Sequence, residues 1–278
     1  MMIDLDPVLD TLALTRVADD RYRGENLPIG TGVVFGGQIL AQAIIAALVG
    51  QDGKSVKTVH TVFARGGVPD RPMEISVDRV HGGRTFASST VTFSQDEKVR
   101  SRSMVLLSAE EPDLIRHADT PTPAPSPAPT EKAVRRLQSV IVGDVDLNSP
   151  DLVGPPDLDV WSRWADAPDD PGTSQALIAF ASESFLIGTA MRPHEGVGQA
   201  QGHVTLSTGV ISHTITFHQA CDAGSWLLSR LHSSYTGGGR AYGRGDIFTE
   251  DGRLVASFVQ DSMIRAMQTS VDGSRPRL

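Results

Sequence analysis

Residues 60–63 read His60-Thr61-Val62-Phe63, and residues 213–216 read His213-Thr214-Ile215-Thr216. A second echo follows at Gly83-Arg84-Thr85-Phe86 and Gly239-Arg240-Ala241-Tyr242. The offsets are 153 residues (213 less 60) and 156 residues (240 less 84), so the two echoes belong to one duplication. Solenoid repeats recur at roughly 20–50 residues, so a period this long means two similar domains. In each copy an apolar, helix-like run precedes the His-Thr strand: Phe35–Leu48 in the first and Ala176–Met191 in the second.

Outward from these strands the two halves keep one plan. The helix Gln38–Leu48 is apolar nearly all round, as a buried helix is. After Lys54 the pattern changes to period two, giving strands at Val56–Ala64, Met73–Val80, Thr85–Gln95 and Val99–Ser108. The second half offers a long helix from Ser174, as its cap, to Met191. Strands follow at Gly209–Gln219, Trp226–Tyr235, Arg240–Thr249 and Leu254–Met263. Ahead of the first helix stand an amphipathic Val8–Leu14 and a strand-like Thr15–Arg23. Lys132–Gly143 reads as a short helix, and Val160–Ala165 as a strand or turn carrying Trp161 and Trp164. Between the halves, prolines at alternate positions from Pro121 to Pro129 remove backbone donors and read as a polyproline-like linker. One long helix followed by an antiparallel meander, twice over, predicts an α+β double hotdog, each sheet curled around its helix. The expected units are residues 1–117, a linker at 118–133, residues 134–268, and a disordered tail at 269–278.

Composition narrows the function classes. The chain has 278 residues, 40% of them hydrophobic, and a net charge of −8 with no basic run, which argues against nucleic-acid binding. No segment approaches the roughly 20 apolar residues of a membrane span. The acidic start Met1-Met2-Ile3-Asp4-Leu5-Asp6 lacks the pattern of a signal peptide, and Cys221 is the sole cysteine, so a cytoplasmic protein without disulfides is expected. No G-x-S-x-G occurs, Gly237-Gly238-Gly239-Arg240 lacks the ending of a phosphate loop, and His213 and His218 alternate to opposite strand faces rather than forming a metal pair. No metal or other cofactor is expected.

The ordered set Tyr22-Arg23-Gly24, Val34-Phe35-Gly36-Gly37-Gln38, His60-Thr61-Val62-Phe63, Gly83-Arg84-Thr85-Phe86, Arg192-Pro193-His194, His213 through His218 and Gly252–Arg265 resembles the acyl-CoA thioesterase II family of TesB-like double hotdogs, over about Leu9 to Arg265. The resemblance implies hydrolysis of fatty acyl-CoA to free fatty acid and CoA. A carboxylate, a hydroxyl and a carboxamide would activate water, with no acyl-enzyme. It places the acid, an Asp in the family, on Glu183 and the carboxamide on Gln260. The family's Thr falls on Val210, so the hydroxyl is missing there; Thr208 or Ser212, which strand alternation places on the same face as Val210, is the expected substitute. The resemblance also implies a homodimer or tetramer.

Glu183 stands out without any resemblance, as the only charged residue between Gln175 and Met191. A carboxylate among Phe180, Phe185 and Leu186 is costly unless paired, so its presence asks for a reason; the bland reading puts it on a solvated stripe with Gln175, Ser182 and Thr189. Phe35, Gly36 and Gly37 open the first helix, where free N–H groups can meet an oxyanion, or simply make a tight turn. Arg84, Arg240 and Arg244 are candidates for CoA phosphates or for ordinary solvated charges. The alternative function is an acyl-CoA-binding double hotdog with weak or lost hydrolysis. A hotdog hydratase would need a matched Asp/His pair near the start of a helix, and none is present.

Overall fold

The computed structural model describes residues 3–29, 32–119, 125–127 and 134–267. In chain order these form α1 (Leu5–Leu12), β1 (Thr15–Ala18), β2 (Arg21–Gly24), α2 (Gly36–Leu48), β3 (Lys54–Phe63), β4 (Met73–Gly82), β5 (Phe86–Gln95), β6 (Lys98–Ala109), β7 (Leu137–Ile141), β8 (Asp157–Trp164), α3 (Pro171–Ser182), α4 (Leu186–Met191), β9 (Leu206–Phe217), β10 (Leu227–Gly237), β11 (Arg240–Thr249) and β12 (Leu254–Ala266). The strands make one sheet in the order β1-β2-β4-β5-β6-β3-β9-β12-β11-β10-β8-β7, and every neighbouring pair is antiparallel. This is the double hotdog expected from the repeat, with the two sheets fused edge to edge through β3 and β9.

The helices lie inside the curled sheet because their sequences leave them little polar surface. Ten residues of α2 are buried, including Gln38 and Gln42. Those two amides do not break the pattern, because each is satisfied. Gln38 Oε1 accepts from the Leu27 N–H at 2.8 Å, and Gln42 Nε2 donates to the Thr11 carbonyl at 2.9 Å. They tie the N-terminal strap to the helix. Between the halves, Gln175 of α3 reaches into β3, accepting from the Val56 N–H at 3.0 Å and donating to the Val56 carbonyl at 2.7 Å. It occupies the place where β3 bulges, between Val56 and Thr58, and supplies the pairing that the ladder loses there.

Several sequence-based expectations change. The second helix is not continuous: α3 ends at Ser182, Glu183 caps it, and α4 starts at Leu186. Its N-cap is Asp170, whose carboxylate accepts from the Thr173 N–H at 2.7 Å, with Pro171 at the first helical turn; Ser174 lies inside the helix and is buried. Lys132–Gly143 is not helical where it is described; Leu137–Ile141 pairs with β8 as the edge strand of the C-terminal half. Thr15–Arg23 is a hairpin rather than one strand, turning at Asp20 with φ 51°. Most of the proline-rich linker and the whole 269–278 tail lie outside the described residues.

Candidate active site

Glu183 sits where α3 breaks, and the start of α2 faces it. A Cβ on Gly36 would lie 2.7 Å from Glu183 Oε1 and 3.3 Å from Phe63 Cζ. One residue on, a Cβ on Gly37 would lie 2.4 Å from the Phe180 carbonyl oxygen. At Gly37 the neighbour is backbone, so only glycine permits this second approach. Phe35 packs its ring on Phe180, with centroids 4.9 Å apart. The structure therefore brings Phe35, Gly36 and Gly37 from one half to Glu183 of the other, with the N-terminus of α2 beside the carboxylate.

Desolvation pushes the Glu183 carboxyl up to about 8. The side chain as a whole keeps partial contact with solvent, while its carboxyl is surrounded as a buried group would be. Both hold for a carboxyl reached from one side only. The solvated-stripe reading falls, since Gln175, Ser182 and Thr189 are all buried and hydrogen-bonded.

Next to Glu183, Ser182 begins a buried chain of contacts. Ser182 Oγ is 3.0 Å from His213 Nε2, His213 Nδ1 is 3.0 Å from Gln260 Oε1, and Gln260 Nε2 donates to Ser262 Oγ at 2.9 Å. All four side chains are buried. Burial holds the His213 ring near 4, so it is neutral, and it stacks on Phe258 with ring centroids 5.4 Å apart. A cavity of about 20 Å³, the size of one water, adjoins Ser182 and Ser229.

A bulge decides which hydroxyls share this face. Gln260 pairs with His213 and Asp261 with Ser212, but Ser262 pairs with Val210, so Ile211 is the extra residue. Paired residues share a face. Val210 and Thr208 therefore lie on the inner face with His213, Gln260 and Ser262. Ser212 does not: it donates to Asp261 Oδ2 at 3.1 Å on the exposed side, which corrects its expected place beside Val210. Half-buried Thr208 pairs with Ile264, one step beyond the Val210–Ser262 pair. The echoed histidines also diverge, for His60 bonds Thr214 Oγ1 at 2.7 Å on the outer face while His213 is buried.

The three arginines fall elsewhere. Arg84 follows β4 at the Lys54 end of β3, since Lys54 pairs with Ala109 and Ala109 donates to the Thr85 carbonyl at 2.8 Å. Phe63 and Gly36 are at the other end, about 30 Å away at roughly 3.3 Å per residue. Arg240 and Arg244 pair with Met263 and Val259, which alternate with inward Ser262 and Gln260, so both face outward. The register does place cations at the Phe63 end, namely Arg65 and Arg100, joined there by an Arg65 N–H to Arg100 carbonyl bond of 3.2 Å. Burial pushes the Cys221 thiol up to about 12, which suits a bystander.

Sequence reasoning missed Ser182, His213 and Ser262 as members of this cluster. The signals were the i, i+2 spacing of Gln260 and Ser262 on one strand and the adjacency of Ser182 to Glu183.

Comparison with known proteins is consistent with this arrangement. Residues 25–108 match the family described as the acyl-CoA thioesterase N-terminal domain, and residues 115–264 its C-terminal domain. The chain is 28% identical to acyl-CoA thioesterase 2 of Haemophilus influenzae over 283 residues, covering 94% of this chain and 98% of that one. It is 27% identical to acyl-coenzyme A thioesterase 8 of Rattus norvegicus, covering 95% of this chain and 91% of the relative. Among solved structures, the tesB protein of Mycobacterium avium subspecies paratuberculosis superposes with a TM-score of 0.80 at 28% identity, covering 94% of this chain and 99% of the other. A hot dog fold protein of Alicyclobacillus acidocaldarius, at 18% identity and a TM-score of 0.72, shares the fold.

Proposed function

Because the chain belongs to the acyl-CoA thioesterase family, we propose that it hydrolyses acyl-CoA to a carboxylic acid and CoA, with Glu183 as the general base. The observation that carries this reading is the position of Glu183: a desolvated carboxyl at a helix break, facing the glycine-lined start of α2. In its ionised form Glu183 takes a proton from water as the water oxygen attacks the thioester carbonyl. The N–H groups opening α2 face the negative charge that develops on the carbonyl oxygen. The C–S bond then breaks, and protonated Glu183 returns its proton to the departing CoA sulfur. Gln260 contributes its carboxamide to holding water or carbonyl. The residues supply general-base and electrostatic chemistry, and no step needs a metal.

For the CoA end, the register supports Arg65 and Arg100 over Arg84, Arg240 and Arg244. The domain division follows the linker, with units at 1–117 and 134–268 joined through the β3–β9 pairing. We propose a cytoplasmic homodimer or tetramer that associates through the outer sheet face, where Val62, Met104 and Leu106 are exposed; among the described residues no helix is long and apolar enough to cross a membrane. The test is thiol release from short, medium, long and branched acyl-CoAs, with binding of the same ligands measured alongside. Turnover supports hydrolysis. Tight binding without thiol release would replace it with the acyl-CoA-binding alternative.

A further inference from the structure

We infer that Ser262 carries the hydroxyl of this site in place of Val210, and that His213 is the positioning residue that aims it through the carboxamide of Gln260. The inference deepens the hydrolase reading and rests on it. Val210 has no polar atom to offer, and its cross-strand partner on the same face is Ser262. The bulge at Ile211 puts the hydroxyl of β12 beside the side chain of β9 while turning Ser212 outward.

Proton accounting gives the chain a direction. The Gln260 nitrogen points to Ser262, so Gln260 Oε1 points to His213 Nδ1 and must accept from it. His213 therefore carries its proton on Nδ1. A neutral ring then leaves Nε2 as an acceptor, and the Ser182 hydroxyl at 3.0 Å is its donor. That hydroxyl also donates to the Ala179 carbonyl at 2.8 Å, so its one proton is shared between the carbonyl and the ring. From the ring outward the bonds run one way, His213 to Gln260 to Ser262, and each polarises the next. Ser262 accepts from Gln260 and keeps its own proton, so the chain ends on the inner face in an O–H donor that bonds no acceptor among the described residues. Without the ring, the Gln260 carboxamide could turn over and reverse the donor at its end.

Two measurements on the full chain decide this. The first is the tautomer of His213, read from its ring nitrogens by 15N NMR without substrate. Protonated Nδ1 is expected. Protonated Nε2 would reverse the chain, make Ser262 donate to Gln260, and overturn the proposal. The second is thiol release. Ser262→Ala should lower kcat by about 100-fold, the scale of one lost oxyanion donor, with KM little changed. Val210→Thr in the Ser262→Ala background should recover most of the loss, because it returns a hydroxyl to the neighbouring position. His213→Leu should lower kcat in the parent but not further in a Gln260→Ala background, and His213→Asn, which keeps a donor near Nδ1, should retain more activity than His213→Leu. An unchanged kcat in Ser262→Ala, or equal losses from His213→Leu in both backgrounds, would overturn it. If the unaltered chain releases no thiol from any acyl-CoA, the hydrolase reading fails and takes the catalytic role of Ser262 with it; the ring nitrogens still decide the direction of the chain separately.

Discussion

Replacing Glu183 by Gln should separate stability from function. An isolated glutamate titrates near 4.5, and in the folded chain desolvation pushes this group up to about 8. The folded state therefore holds a proton that the unfolded chain releases, and the stability this provides is complete below pH 4.5 and is lost as pH rises through 8. At about 1.36 kcal/mol per pH unit, the loss is at most about 5 kcal/mol; partial contact of the side chain with solvent makes this an upper bound. Glutamine resembles the protonated acid in shape and does not titrate. Urea unfolding at pH 4.5 should thus find the two chains similar, and at pH 9 should find Glu183→Gln more stable by several kcal/mol. Thiol release should fall by about 100-fold or more, a typical general-base contribution, and kcat/KM of the parent should rise with pH towards 8. Parallel stability profiles from pH 4.5 to 9 would refute the desolvated carboxyl, and undiminished thiol release would remove Glu183 from the mechanism.

Gly36→Ala places a methyl 2.7 Å from Glu183 Oε1, a flexible side-chain end, so it should lower kcat with little change in Tm; Gly37→Ala meets the Phe180 backbone oxygen at 2.4 Å and should destabilise the fold measurably in thermal melts. Gln175→Ala leaves both Val56 backbone groups unpaired across the two halves and should cost about 2–4 kcal/mol in urea unfolding, at roughly 1–2 kcal/mol per lost bond. Ser212→Ala removes only an outer-face bond to Asp261, so thiol release should be unaltered. Because burial holds His213 near 4, the folded chain binds fewer protons than the unfolded one between pH 6.5 and 4, and stability should fall as pH drops through that window; His213→Asn should flatten this limb of the profile.

The order of elements was legible in the sequence because burial on one side leaves a periodic mark. The His-Thr echo, the helix Gln38–Leu48 and the strands after Lys54 all followed from it, and the same logic marked Glu183 as an isolated charge in an apolar run. Periodicity counts residues, however, and fails wherever an extra residue enters. The bulge at Ile211 reversed the face assigned to Ser212, and it made Ser262 rather than Ser212 the neighbour of Val210. The short edge strand Leu137–Ile141 has no strong pattern of its own, and pairing with β8 decides its conformation. The break at Glu183 carries no proline or glycine to announce it; it exists where Gly36 of the other half comes up to the carboxylate. Local sequence thus determined which segments are buried, because burial is recorded in side-chain type. Which buried groups meet was decided by register and by contact between the halves, since hydrogen bonds such as Ser182–His213–Gln260–Ser262 join residues that only the folded sheet brings together.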